Sequence, residues 1–147
     1  MRLTTKGRYG VRAVVNLAAA ADDRPISISQ IAGQENLSPE FLEQIFFKLK
    51  KAGLIRSVRG PKGGFMLNRP PADITIKTIL DAVGEPLSPT PCADGAVPPC
   101  PRQDDCAIAP VWQEFYGVME RHLEGISLED ILTGKSNKET AELLSGK

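Results

Sequence analysis

SPEFLEQIFFKLKKAGLIRSVRGPKGGF, residues 38–65, is the stretch of this sequence that decides the fold. Its first half predicts a helix, since Ser38 is a favourable N-cap and Pro39 occupies the first helical position, where its missing N–H costs nothing. Apolar residues continue at steps of three and four, and Gly53 tolerates the left-handed conformation that ends a helix. We therefore expect a helix from Ser38 to about Lys51.

The second half of this stretch predicts a β-hairpin. Residues 54–58 alternate and are rich in β-branched side chains, and residues 65–67 resume the same strand pattern. Residues 59–64, RGPKGG, are typical of a turn. The hairpin therefore has a basic, glycine-rich tip.

Further helices flank this stretch on both sides. Ser27 and Gln30 form a predicted capping box, and similar starts occur at Thr75 and Ser127. Apolar residues between 11 and 18 recur at helical spacing and predict an amphipathic first helix. The order of helix, helix, turn, helix and hairpin predicts a winged helix-turn-helix, which is mainly α with a small β-hairpin wing.

The C-terminal half predicts a loop and then a long helix. Residues 86–104 contain six prolines, which indicates an extended loop. A long amphipathic helix is expected to begin near Pro110, with an apolar stripe to bury. We divide the chain into a winged helix-turn-helix DNA-binding domain (1–69), a segment with a linker helix, the loop and the long helix (70–132), and a polar tail (133–147). The stripe comprises Ile108, Val111, Trp112, Phe115, Met119 and Leu123.

The net charge of zero hides an uneven distribution. Residues 1–69 hold 12 Lys or Arg and 5 Asp or Glu, whereas residues 70–147 hold 6 and 13. The basic half is the candidate binder of double-stranded DNA, because clustered positive charge neutralises phosphates. A solvated basic face is the alternative explanation of the charge alone.

The sequence disfavours two other classes of protein. No stretch approaches the roughly 18 consecutive apolar residues of a membrane span, and we expect a cytoplasmic protein. A single histidine, the lack of a Ser-His-Asp set and the lack of a phosphate-binding glycine loop argue against an enzyme.

The DNA contacts are predicted from the expected fold. The N-terminal residues of the third helix would read base edges, with Gln44 suited to adenine and Glu43 to cytosine, although carboxylates could also serve the helix N-terminus. Arg59 would reach the minor groove. The predicted phosphate contacts are Lys6, Arg8, Lys48 and Lys62. The predicted DNA-binding residues are Ser38, Glu40, Phe41, Glu43, Gln44, Lys48, Arg59, Gly60, Lys62, Arg2, Lys6 and Arg8.

Three segments together resemble the Rrf2 family of winged-helix regulators, whose members include the IscR and NsrR types. These are MRLTTKGRY (1–9), LEQI (42–45) and VRGPKGGF (58–65), and the resemblance covers nearly the whole chain. It implies a homodimeric regulator of transcription, which we expect to be a repressor. In this family the long helix crosses to the partner subunit and builds the dimer.

Cys92, Cys100 and Cys106 are the only cysteines. Their odd number excludes a closed disulfide framework, and their spacing matches no zinc finger, so three ordinary thiols and metal ligands both remain open. The resemblance implies that these cysteines hold an iron–sulfur cluster, either 2Fe-2S or 4Fe-4S, for which thiolates are the natural ligands. The alternative is a cluster-free thiol redox switch.

The fourth ligand of such a cluster departs from both patterns of the family. IscR-type members have a histidine three residues after the last cysteine, where this chain has Ala109. NsrR-type members use an acidic residue in the first helix of the other subunit, where this chain has Arg8. The remaining candidates are an external thiol or water, Asp94, Asp104, Asp105 and His122.

Overall fold

A computed structural model of the chain describes residues 2–20, 24–95, 98–135, 142 and 145–146. Most of the predicted polar tail therefore lies outside the described residues. The described elements are α1 (Thr5–Ala19), α2 (Ile28–Glu35), α3 (Pro39–Lys51), β1 (Ile55–Val58), β2 (Gly64–Leu67), α4 (Ile76–Val83), α5 (Ala109–Glu124) and α6 (Leu128–Thr133). Single 3-10 turns cover Pro71–Asp73 and Gln103–Asp105.

The helix starts predicted from capping residues are confirmed. Ser27 and Ser127 each form a complete capping box, with Gln30 and Asp130 as the reciprocal partners. The N-caps of α3 and α4 are Ser38 and Thr75, and the side chain of each accepts a hydrogen bond from the first turn. In contrast, α1 begins well before its apolar run, because Thr4 caps it by accepting from the backbone N–H of Gly7.

The predicted hairpin is confirmed and is fixed to the start of α2. Its antiparallel register pairs Ile55 with Leu67 and Val58 with Gly64. Ile26 and Phe65 exchange two backbone hydrogen bonds, with N···O distances of 3.0 and 2.8 Å. A Cβ at Gly64 would lie 2.4 Å from the carbonyl oxygen of Ile26, so only glycine permits this approach. The wing is therefore attached to the helix-turn-helix.

The core lies among α1, α2, α3, the hairpin and α4. Phe46 of α3 is 1% exposed, and its ring meets the ring of Phe65 edge-on at a centroid distance of 4.8 Å. Leu128 of α6 joins this core, since α6 is held to the start of α4 by a backbone bond from Leu128 N to Ile74 O. The core residues are Ala13, Val14, Leu17, Ile31, Ala32, Leu42, Ile45, Phe46, Leu49, Leu54, Ile55, Ile74, Ile79, Val83 and Leu128.

The long helix α5 confirms the predicted helix but is not enclosed by this core. Of its 16 residues, all of which the structure describes, only Ala109 is buried. Within the described part of the chain, no helix is long and apolar enough to cross a membrane. The large apolar side chains that stay exposed on α5 and at its start are Ile108, Val111, Trp112, Phe115 and Val118.

Candidate nucleic-acid interface and cysteine loop

The outward side of α3 presents an open surface, which we name the recognition face. It comprises Glu40, Glu43, Gln44, Phe47 and Lys48. The helix is acidic in its first turn and basic in its last, which suits the helix dipole. Glu43 and Gln44, the predicted base readers, are both exposed on this face. The structure therefore brings these two side chains together.

Two predicted readers at the start of α3 have other contacts. The hydroxyl of Ser38 accepts a hydrogen bond from the backbone N–H of Phe41 at 3.2 Å. The Phe41 ring is half-buried against the core and meets the Tyr9 ring edge-on at 6.3 Å. In this structure Ser38 and Phe41 hold the beginning of α3 in place.

Two lysines meet where α3, α1 and the end of α4 converge. The Nζ atom of Lys48 donates to the carbonyl oxygen of Val83 at 3.4 Å. A Cβ at Gly84 would lie 3.9 Å from the Nζ atoms of both Lys48 and Lys6. The positive charge of the nearby Lys6 ammonium lowers the pKa of Lys48. Two adjacent ammonium groups repel each other and attract an anion such as phosphate.

The predicted DNA-binding residues at the tip of the wing are exposed to solvent. Arg59, Gly60 and Lys62 are exposed, and the turn is closed by a 2.9 Å bond from Gly63 N to Gly60 O. Gly60 has a φ of +118°, a conformation that L side chains rarely adopt. The tip can therefore form only with glycine at this position, next to Arg59.

The arginines of the N-terminal segment lie away from the lysine pair. Arg2 and Arg8 line an apolar groove between α1, α4 and α5, which we name the α1–α5 groove. The Arg8 guanidinium lies 5.9 Å from the centre of the Tyr9 ring. The structure therefore separates Arg2 and Arg8, two of the predicted DNA-binding residues, from Lys6. The apolar lining consists of Leu3, Tyr9, Val11, Ile76, Leu80, Pro86, Leu87, Met119 and Leu123.

The start of α1 is held by a buried carboxylate. Glu85 is 6% exposed and accepts a hydrogen bond from Thr4 N at 2.7 Å and a second, short one from Thr4 Oγ1. Gly7 lies directly over this carboxylate, since a Cβ there would be 2.5 Å from Oε2 of Glu85. The contact fixes the α1 turn that carries Lys6 against the end of α4.

The three cysteines lie in the loop that leads into α5. Cys92 is buried, its Sγ lies 3.1 Å from Thr90 Oγ1, and its carbonyl accepts from Gln113 Nε2 at 3.1 Å. Cys100 and Cys106 are half-buried, and none of the three is in a disulfide. Thiol donors suit an iron–sulfur cluster, but among the described residues no three Cys, His, Asp or Glu side chains converge as metal ligands. The cysteines do not form a ligand set in this conformation.

A polar cluster connects the cysteine loop to α4. Lys77 bonds to both carboxylate oxygens of Asp81, at 2.7 and 2.6 Å, and pairs with Glu120 of α5 at 3.2 Å. Burial, together with the hydrogen bond to Glu120, raises the pKa of Tyr116 to about 12. The charge of Asp94, in the loop, acts on both Tyr116 and Glu120. This cluster therefore joins three parts of the chain.

The comparisons with known proteins place this geometry in a family. A sequence profile of the Rrf2 family, described as "Iron-dependent Transcriptional regulator", matches residues 3–134. The chain belongs to the Rrf2 family. A related Rrf2 sequence, the HTH-type transcriptional regulator IscR of Aliivibrio salmonicida, is 33% identical over 144 residues, which cover 97% of this chain and 83% of the relative.

Two solved structures extend this Rrf2 assignment. The structure of T. potens IscR matches with a TM-score of 0.74 and 31% identity, over 94% of this chain and 90% of that one. The oxidized form of Staphylococcus aureus CymR matches with a TM-score of 0.67 and 32% identity, over 89% and 95%. The winged-helix fold and the class of transcriptional regulator, as opposed to enzyme, agree with the sequence predictions.

Several residues around the candidate sites of this Rrf2 protein were not predicted from the sequence. Glu85 and Phe47 were not singled out, nor was the cluster around Tyr116 and Glu120. A signal existed for Phe47 alone, since it lies beside the buried stripe of Leu42, Ile45, Phe46 and Leu49 and must therefore face outward. The other contacts join residues that are distant in the sequence.

Proposed function

We propose that this Rrf2 protein binds double-stranded DNA sequence-specifically and represses transcription. The observation that carries the proposal is the recognition face, whose exposed Glu43 and Gln44 lie on the same helix as Lys48, beside Lys6. Base readers next to a pair of phosphate-binding cations are the combination that a recognition helix requires.

Each side chain has a distinct proposed role. Gln44 bonds to adenine and Glu43 accepts from cytosine in the major groove, while Arg59 enters the minor groove. Lys6, Lys48 and Lys62 contact phosphates. Ser38 and Phe41 orient α3, and Glu40 lies at its N-terminal turn. Arg2 and Arg8 line the α1–α5 groove and not the recognition face, so they can contact DNA only where a bound duplex extends past α1.

The active form is proposed to be a homodimer built on α5. A row of exposed apolar side chains on one helix, next to the open α1–α5 groove, leaves apolar surface that a second copy can bury. Two-fold symmetry then predicts a near-palindromic operator, with half-sites about one helical turn, or ~34 Å, apart.

The test of DNA binding starts with selection of duplexes from a random library. We expect one enriched near-palindromic sequence, and fluorescence anisotropy should show that log K falls linearly with log salt concentration. Lys6→Ala and Lys48→Ala should each weaken binding to all sequences and reduce the salt slope by about 1, because each variant removes one cation from the phosphates. Lys135→Ala, at an exposed position just after α6, is the matched control. Absence of an enriched sequence at moderate salt contradicts the proposal.

We further propose that Cys92, Cys100 and Cys106 hold an iron–sulfur cluster that controls DNA affinity. The support is the chemistry of three thiols in one loop and membership of a family described as iron-dependent. Ligation requires the loop to rearrange, because no three Cys, His, Asp or Glu side chains converge among the described residues. The fourth ligand is not supplied by any cluster of described side chains.

The route from the loop to DNA is provided by α4. The Cys92 carbonyl accepts from Gln113 of α5, Glu120 of α5 pairs with Lys77 of α4, and the last carbonyl of α4 accepts from Lys48. A rearranged loop would therefore shift the position of α4 relative to the recognition face. Such a change alters DNA affinity when the two conformations bind DNA differently.

The thiol switch is the second candidate function. A related structure is that of an oxidized form of CymR, and the three cysteines here are not in disulfides. In this case an oxidant would remove two electrons and two protons from a pair of thiols and form a disulfide.

Anaerobic purification separates these two proposals. The cluster predicts a coloured protein with stoichiometric iron and sulfide, and Cys92→Ser, Cys100→Ser and Cys106→Ser should each lower the iron content. Colourless protein that takes up neither iron nor sulfide on reconstitution contradicts the cluster. Disulfide formation with diamide in iron-free protein, together with a change in DNA affinity, would instead support the switch.

A further inference from the structure

Phe47 is an exposed aromatic side chain at the middle of the recognition face. It is 68% exposed, the largest exposed fraction among the large apolar side chains that the structure describes. Its neighbour Phe46 is 1% exposed and fills the core against Phe65. Phe47 therefore contributes little to the core, and its apolar surface is available to a binding partner.

The surroundings of Phe47 indicate the chemistry of that partner. It shares the recognition face with Glu43, Gln44 and Lys48, and the Lys6 ammonium lies close to that of Lys48. A face that combines polar readers, two cations and one apolar ring suits the major groove, where the C5 methyl of thymine is the apolar group that proteins contact. A purely apolar protein partner would leave the charged neighbours of Phe47 unpaired.

We propose that Phe47 selects a base by contacting the C5 methyl of thymine in the operator. This inference rests on the proposed DNA binding and adds a residue that determines specificity. Phe47 lies three residues after Gln44 and four after Glu43, so all three side chains share one side of α3. The selected thymine is therefore expected close to the base pair that Gln44 reads, once in each half-site.

The test compares the operator selected by the wild-type protein with duplexes that lack a single methyl group. Each thymine is replaced in turn by uracil, which keeps the pairing and the O4 acceptor but has no C5 methyl. At one position in each half-site, this change should weaken wild-type binding by about fourfold, the factor that corresponds to one buried methylene-sized group. Replacing that thymine by 5-methylcytosine, which restores the methyl, should bind better than cytosine.

The Phe47→Ala variant completes a double-mutant cycle with the replacement of thymine by uracil. Phe47→Ala should lose the same factor on the thymine operator and should bind the thymine and uracil operators equally well. Leu132→Ala, which removes an exposed apolar side chain of α6, should keep the wild-type preference. Thermal unfolding of Phe47→Ala should match that of the wild type, because the side chain is mostly exposed.

The outcomes distinguish this inference from the proposed function. Specific DNA binding with no uracil-sensitive position, or with the same sensitivity in Phe47→Ala, overturns the role of Phe47 and leaves DNA binding intact. Unchanged operator binding by Phe47→Ala also overturns it and indicates a partner other than DNA. Absence of specific binding by the wild type overturns both.

Discussion

The region from α1 to α4 and the region from the cysteine loop to α5 satisfy their side chains in different ways. In the first, the N-caps of all four helices accept hydrogen bonds and the apolar stripes meet in one core. In the second, α5 has no side-chain cap, three thiols are outside any disulfide and a row of apolar side chains is exposed. The first region is completed by its own contacts and by Leu128 of α6.

This difference indicates where other molecules are needed. A partner subunit that covers exposed apolar area, or a ligand that binds free thiols, lowers the free energy of the folded protein. The recognition face is the exception within the first region, because Phe47 and its polar neighbours are exposed on an otherwise well-packed helix. Both sets of exposed groups are the candidate sites of function.

The largest predicted effect would break the core of the first region. Phe46→Ala should lower the free energy of unfolding by about 3–5 kcal/mol, because it leaves a cavity in a packed core. Chemical denaturation monitored by circular dichroism measures this loss. Phe47→Ala is the matched control and should cost less than about 0.5 kcal/mol at an exposed site. Equal losses for the two variants would contradict the assigned orientation of α3.

The next prediction tests the row of exposed apolar side chains on α5, which includes Val118. Val118→Asp should raise the dissociation constant of the proposed dimer by at least about 30-fold, since a carboxylate would enter an apolar interface. Sedimentation equilibrium measures this constant, and the circular dichroism of the folded monomer should persist. Leu132→Asp, an exposed apolar position on α6, is the control. A dimer that tolerates Val118→Asp must use another surface.

A smaller effect is expected at the junction between α1 and α4. Glu85→Ala removes both acceptors of Thr4 and should lower the free energy of unfolding by about 1–3 kcal/mol. Glu85→Gln retains one acceptor oxygen and should lose less. Urea denaturation compares the two with Glu129→Ala, an exposed carboxylate of α6. No difference between Glu85→Ala and Glu129→Ala would show that the buried contact is unimportant.

The smallest predicted effect concerns the polar cluster that joins α5 to α4. Burial and Glu120 raise the pKa of Tyr116 to about 12 in the folded protein, whereas an unfolded tyrosine ionises near pH 10. The folded state therefore holds this proton more tightly, and the resulting stability is complete below about pH 10 and is lost as the pH rises towards 12. Absorbance at 295 nm follows the ionisation.

Two variants assign this step. Tyr116→Phe should remove the step near pH 12, and Glu120→Gln should lower the pKa of Tyr116 because it removes the adjacent negative charge and replaces a charged acceptor by a neutral one. A step that persists unchanged in Tyr116→Phe belongs to another group.

The two regions also differ in how much of their structure could be predicted from the sequence. Capping residues, glycines and periodicity located α2, α3, the hairpin and α5, because these signals act within a few residues. The start of α1 was not predicted, although its Thr4 cap is local and accepts from the Gly7 N–H. The contact of Thr4 with Glu85, 81 residues away, has no local signal. The elements were thus predictable from local chemistry, and the contacts between distant residues were not.

The candidate sites were predicted less completely. Lys6 and Arg8 are two positions apart on α1, which places them on different sides of a helix, and the structure separates them accordingly. The loop that carries Cys92, Cys100 and Cys106 has no periodicity, so its spacing did not predict the distances among the thiols. Burial of Cys92 depends on contacts with Thr90 and Gln113 that only the folded chain creates.

The close contact between Gly7 and Glu85 has a consequence for the evolution of this chain. A Cβ at position 7 collides with the carboxylate, although alanine would favour the helix by about 1 kcal/mol over glycine. Glu85→Ala removes the carboxylate that this Cβ would meet. Gly7→Ala should therefore lower the stability of the wild-type protein but leave unchanged or raise the stability of the Glu85→Ala variant. The two positions are therefore expected to form an epistatic pair, in which the effect of either substitution on stability depends on the residue at the other position.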